Sequence, residues 1–245
     1  MIADVWTIVW KDWKELILQR GGMRRGWLNI LVMLAVFGIF LPLQTGRGWI
    51  ESPLVLMSWA WVPIILVTSV IADSFAGERE RHTLEALLAT RMPDEPILLG
   101  KLLAAVGYAW GVTLVSLILG LVTVNVAHGE GEILLYPAST ALGGAVVSLL
   151  TAGLAAGFGV LVSLRAPTVR QAQQTLGMIT MVIVWLPILG LNLLPKEWRA
   201  AMGRLAGDID ARQALLWGAL VLAVANVALV AAARARFRRA RLILD

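Results

Sequence analysis

Six stretches of the chain run for about 20 residues or more without a charged side chain. They are Gly26 to Gly46, Ser52 to Ala72, Leu102 to Ala127, Ile133 to Leu164, Gln171 to Pro195 and Gln213 to Ala233. A helix rises about 1.5 Å per residue and the hydrocarbon core of a bilayer is about 30 Å thick, so each run is long enough to cross. The run from Ile133 is too long for one upright helix, and Tyr136 and Pro137 offer a start after a short interfacial stretch. Charged residues are 15% of the chain and apolar ones 59%, against about a quarter charged in ordinary soluble domains. The pattern predicts an all-α membrane protein with six transmembrane helices.

Lys and Arg set its orientation, because basic residues beside short loops stay on the cytoplasmic side. Counted by side, 16 lie with the two termini, the connection from Arg79 to Lys101, and Arg165 and Arg170. Only Arg47, Lys196, Arg199, Arg204 and Arg212 lie opposite. The expected location is the plasma (inner) membrane, multi-pass, with both termini cytoplasmic. Basic residues at membrane edges also account for the net charge of +5 and the pI near 10.2 without nucleic acid as a partner. There is no cysteine, which excludes disulfides, zinc thiolate sites and thiol catalysis. No cleavable signal peptide is read at the start: Val5 to Trp10 lacks a basic region before it and runs into Lys11, Asp12, Lys14 and Glu15.

The expected organisation has residues 1–25 as an amphipathic amino-terminal helix and 26–72 as spans one and two. Residues 73–101 form a cytoplasmic segment, 102–233 spans three to six, and 234–245 a basic tail suited to anionic lipid. Trp6, Trp10 and Trp13 fall on one stripe of the first helix, with Lys11, Lys14 and Glu15 on the polar side, so it lies in the membrane interface. A very short connection makes spans one and two an expected antiparallel pair. In the fourth span Gly144, Ser148, Ala152 and Ala156 recur every four residues, with Gly153 and Gly157 beside them. This small-residue stripe serves close packing, either inside one subunit or between two. Pro195 to Arg212, with Trp198, Met202 and Leu205, suits a short interfacial helix. No internal repeat is found.

The longest charged stretch on the predicted cytoplasmic side holds GERERHTLEALLATR, residues 77–91, a strong helix former. At helical spacing Glu78, His82 and Glu85 share one stripe, and Leu84, Leu87 and Leu88 another. Such a helix either contacts a partner or is simply solvated and laced by pairs such as Arg81 with Glu85.

The longer segment ADSFAGERERHTLEALLATRMPDEPILLGK, Ala72 to Lys101, resembles the signature of ABC transporter permeases with the type-2, exporter-like membrane domain. The matching positions are Ala72, Asp73, Gly77 to Arg81, Thr83, Leu84, Glu85, Leu87, Leu88, Gly100 and Lys101. His82 departs from it, since Gly is commoner there. VWTIVWKDWKELILQR, SLRAPTVRQAQQ and ARFRRARLIL look like the same family. The resemblance implies a coupling helix between spans two and three, with Glu78, Arg79, Glu80, Arg81, Thr83, Leu84 and Glu85 at the interface with a separate ABC ATP-binding subunit. ATP and Mg would sit on that partner, with no cofactor bound by this chain. A second permease copy, or a related permease, would complete a homodimer or heterodimer. The substrate path would run at the subunit interface, with Trp59, Trp61 and Trp185 as aromatic candidates. A charge-poor lining suits a lipid-like or amphipathic cargo.

Rival classes find less support. A phosphate-binding loop needs GxxxxGK followed by Ser or Thr. Gly100 and Lys101 are followed by Leu102, and Glu95 stands where the first Gly belongs, so this chain is expected to hydrolyse nothing itself. An ion-coupled carrier or channel, the alternative function, usually places ionisable residues inside its spans, and none of the six runs carries one in its middle. A hydrolase within the membrane needs a nucleophile and base, or metal ligands, held together. The only two histidines, His82 and His128, fall on opposite predicted sides.

Overall fold

Helix accounts for nearly all of what the computed structural model describes: residues 1–18, 28, 30–52, 55–83, 89, 92–198 and 211–237. No strand occurs among the described residues. Such a chain satisfies its backbone polar groups within each segment, as the hydrocarbon core demands. The elements are α1 (Ile2–Leu18), α2 (Ile30–Thr45), the single turn α3 (Gly48–Glu51), α4 (Val55–Glu80), α5 (Asp94–His128), α6 (Ala138–Ser163), α7 (Val169–Leu193) and α8 (Ala211–Arg236). Among the described residues four helices are long and apolar enough to cross a bilayer: Trp59–Glu80 within α4, α5, α6, and Leu215–Arg236 within α8. α2 is apolar but shorter. Pro137 stands at the N-cap of α6, where the sequence places the start of that helix.

The most extensive helix pair is α4 with α6. Gly159 lets Ile71 lie directly on the α6 backbone, and the Ser163 hydroxyl donates to the Ala72 carbonyl at 3.1 Å while accepting from the Phe75 and Ala76 amides. Ala152, Ala156 and Val160 are buried in one cluster with Leu66, Ile71 and Phe75 of α4 and Ala105 and Ala109 of α5. On the neighbouring face, Gly153 meets Asn226 and Gly157 meets Leu229, both on α8. The small-residue stripe is therefore packing inside one subunit. Without a hydrophobic force between helices in lipid, close approach of this kind is what holds them together.

α2 departs from expectation. Among the described residues it packs mainly on α5 and only marginally on α4, so the first two runs are not a close pair there. The reason lies in a π-helical stretch, Leu34–Phe40. Gly38 is buried in it and leaves room for Leu119, and its carbonyl accepts from Thr123 of α5 at 2.8 Å. A wide turn of this kind disturbs the regular i→i+4 ladder and makes such a carbonyl available.

At the end of the bundle where α2 finishes and α5 closes, a second cluster gathers Trp49, Ile50, Val55, Trp59, Leu117 and Val124. Trp49 donates to the Tyr136 hydroxyl at 3.1 Å, and that hydroxyl donates to the Leu117 carbonyl at 3.2 Å. The Trp59 and Tyr136 rings meet edge to face, 5.2 Å apart at 89°. Asn125 closes the following loop by bonding both the amide and the carbonyl of Leu134. Arg47 pairs with Glu130 at 2.9 Å.

Candidate functional site: an ion-pair cluster at the base of the bundle

The opposite end, the base, is built by the close of α4, the start of α5, the α6–α7 turn and α1. Here the expected helix over 77–91 is corrected: α4 runs from the apolar core through Glu80 and stops. His82 takes φ 56, its amide bonds the Arg79 carbonyl, and the Thr83 amide bonds the Glu78 carbonyl. That pair of bonds is the left-handed cap that ends many helices, usually on Gly. The resemblance marked this position as one where Gly is commoner, and the backbone shows why. Glu78 and His82 therefore do not continue one helical stripe toward Glu85. Leu84 and Glu85, named for the same interface, lie outside the described residues.

Each charge of the GERER run finds a partner within the chain. Glu78 is 4% exposed, and its Oε1 accepts from Lys101 Nζ at 2.8 Å and Lys11 Nζ at 3.2 Å. Lys101, 3% exposed, also lies 3.8 Å from Asp12 Oδ2 and over the Phe75 ring. The guanidinium of Arg79 donates to the carbonyls of Ala166 at 2.8 Å and Leu164 at 2.9 Å. Its cation thus sits at the carboxyl end of α6, where the helix dipole favours it. Glu80 Oε2 accepts from the Val169 amide at 3.1 Å, an anion at the amino end of α7. Arg81 folds back on Asp73 with both bonds at 3.2 Å. Any side chain at Gly77 would collide with the Asp73 carboxylate, so glycine there keeps that return path open.

The cluster fixes α1 to the bundle. Ile8 sits against Gly100, and the Trp13 indole donates to the Ala104 carbonyl at 3.0 Å. Trp6 and Trp10 remain exposed, as an interfacial helix requires. A small cleft of about 50 Å³ is lined by Asp12, Asp73, Glu78, Arg81 and Lys101 among others. Asp12 Oδ1 and Glu78 Oε2 have no hydrogen-bond partner among the described residues. Burial raises the Asp12 carboxyl above its ordinary value, against the pull of Lys101 and Lys11. Burial alone would lower the Lys11 ammonium, but Glu78 and Glu15 outweigh it and hold it above its ordinary value.

Sequence reasoning singled out Glu78 and Lys101 separately and missed their pairing. The available signal was two opposite charges at the adjoining edges of consecutive runs. Lys101 lies inside α5 with its ammonium on Glu78, so the Gly100–Lys101 dipeptide is no phosphate loop. The aromatic candidates do not share a wall: Trp59 is sealed in the far cluster, whereas Trp61, two positions along α4, is exposed. The Trp185 side chain lies outside the described ones. Among the described residues, no group of three or more His, Asp or Glu could hold a metal ion.

A helical bundle with apolar membrane-length helices, its buried charges gathered at one end, defines a multi-pass integral membrane protein. The chain belongs to the ABC-2 type transporter family, whose profile matches residues 3–204, from α1 through α7 and short of α8. It is thus an ABC transporter permease. No curated protein matches the sequence.

Proposed function

We propose that this chain is the permease subunit of an exporter, moving its cargo outward with energy from ATP hydrolysed by a separate subunit, on which ATP and magnesium bind. The observation that carries the reading is the course of α4. It leaves the apolar core unbroken and at the base is tied by adjacent residues to α1, α5, α6 and α7. A transporter driven from outside the membrane needs such an element, since partner movement must reach several spans at once.

In this reading the ATPase docks on what the base leaves exposed, Glu80, Arg81, His82, Thr83 and the neighbouring Arg165 and Arg170, and on Leu84 and Glu85, which the family resemblance adds. Glu78 and Arg79 transmit rather than touch. Six spans are retained, with α2 and α7 as first and fifth and both termini in the cytoplasm. The working unit contains a second copy or a related permease. A charge-poor interior favours an amphipathic or lipid-like cargo.

Two experiments test the reading. Glu85→Lys and Arg170→Glu replace attraction across a complementary interface by repulsion, which costs several kcal/mol of binding. They should abolish co-purification with the cognate ATPase and ATP-dependent transport, while Glu197→Lys, on the other side, should not. Normal assembly and transport in both inner variants would refute the docking assignment. The chain has no cysteine, so Thr83→Cys should be protected from a non-permeant thiol reagent in intact cells and Glu132→Cys should react. The reverse pattern would overturn the orientation.

A further inference from the structure

Between α1, α2 and α5 lies a groove of about 330 Å³. Trp13, Leu16, Ile30 and Leu34 form two walls, and Gly111 and Val115 form the floor. A Cβ at Gly111 would meet nothing within 4 Å, so the floor is hollow there. Of the lining residues only Trp13 and Tyr108 carry a polar side-chain atom, and the Trp13 N–H is already donated to Ala104. The floor begins about 15 Å along α5 from Lys101, at a depth that belongs to hydrocarbon. A water-soluble ligand would find no polar anchors in it.

The rim beside it is basic. Lys14, next to Trp13, is exposed and has no carboxylate partner among the described residues, its ammonium resting 5.4 Å over the Trp10 ring. We infer that the groove binds one anionic phospholipid from the leaflet on the α1 side, with an acyl chain over Gly111 and the phosphate at the basic rim. The interfacial helix supplies both halves of that recognition, apolar through Trp13 and Leu16 and cationic through Lys14. This inference requires only that the bundle lies in a bilayer and is independent of the transport reading.

The test uses the whole protein in vesicles of phosphatidylcholine and phosphatidylglycerol, with a photoactivatable diazirine on the acyl chain of either lipid. Labelled peptides are mapped by mass spectrometry. The phosphatidylglycerol probe should label the peptide holding residues 107–115 more heavily than the exposed α8 face from Leu220 to Val227, and the phosphatidylcholine probe should not. Lys14→Gln should lower groove labelling by phosphatidylglycerol about fivefold, the equivalent of about 1 kcal/mol for one cation near the surface. Gly111→Phe should remove groove labelling and leave the α8 labelling intact, which also shows that the variant is inserted. Gly177→Phe, also in open space, should change nothing. Equal labelling by the two lipids, labelling no heavier than on α8, labelling that survives Gly111→Phe, or an adduct to a second copy in its place would each overturn the inference.

Discussion

At the base, Lys101 and Glu78 are buried side by side and charged groups hold α1, α4, α5, α6 and α7 together; at the far end, Trp59 meets Tyr136 edge to face and Trp49 donates to the Tyr136 hydroxyl, with no ionised group in the cluster. Charged contacts are long-ranged and interchangeable. Lys101 faces both Glu78 and Asp12, and Lys11 faces both Glu78 and Glu15. Aromatic contacts are short-ranged and tied to a single geometry. The base is therefore suited to be rearranged by a partner, and the far end to stay closed. The contrast also assigns Trp59 to packing of the far end in this conformation.

The largest effect should come at the buried charges. Glu78→Ala takes the 2.8 Å partner from buried Lys101, leaves it only Asp12 at 3.8 Å among the described residues, and should cost about 3–5 kcal/mol, read as a lower unfolding temperature of the purified protein. The double variant Glu78→Gln, Lys101→Met should recover most of that loss. A Glu78→Ala protein as stable as the parent would erase the distinction between the two ends.

The helix stop comes next. His82→Val puts a β-branched residue at a left-handed position and should cost about 1–2 kcal/mol, whereas His82→Gly should match or exceed the parent. Comparable losses in both would show that the ring, not the backbone, is what matters. At the far end Tyr136→Phe removes two neutral hydrogen bonds and should cost about 1 kcal/mol, with ATPase assembly unchanged.

The smallest effect is expected at Asp12. Because burial raises its carboxyl, the folded protein binds that proton more tightly than the unfolded chain does. This group adds stability as pH falls through its folded value toward the ordinary 3.8, and withdraws it as pH rises. Asp12→Asn should melt no lower than the parent at neutral pH and should lose the gain on acidification. An unchanged pH profile would show that Asp12 is not buried as an acid.

Much of the fold could be read from charge placement. The uncharged runs located α4, α5, α6 and α8, Pro137 marked the start of α6, and the tryptophan spacing located α1. The base was half legible. Helical periodicity carried the reading past Glu80 because a single left-handed residue leaves no trace in an apolar pattern; only the family's preference for Gly at the position of His82 hinted at it. The partners of Arg79 and Glu80 are backbone groups 85 or more residues away, which no local spacing encodes. The π-helical stretch in α2, and with it the partner of that helix, was equally invisible.

Arg79 and Glu80 are neighbours in sequence, yet one grips the carboxyl end of α6 and the other the amino end of α7. The end of α4 and the α6–α7 turn therefore form a crank with its pin. To move one without the other, three bonds to charged groups must break, at about 1.5–3 kcal/mol each. The end of α4 and the two helices that meet at the α6–α7 turn are thus linked at both helix termini, besides the packing of Ile71 on Gly159.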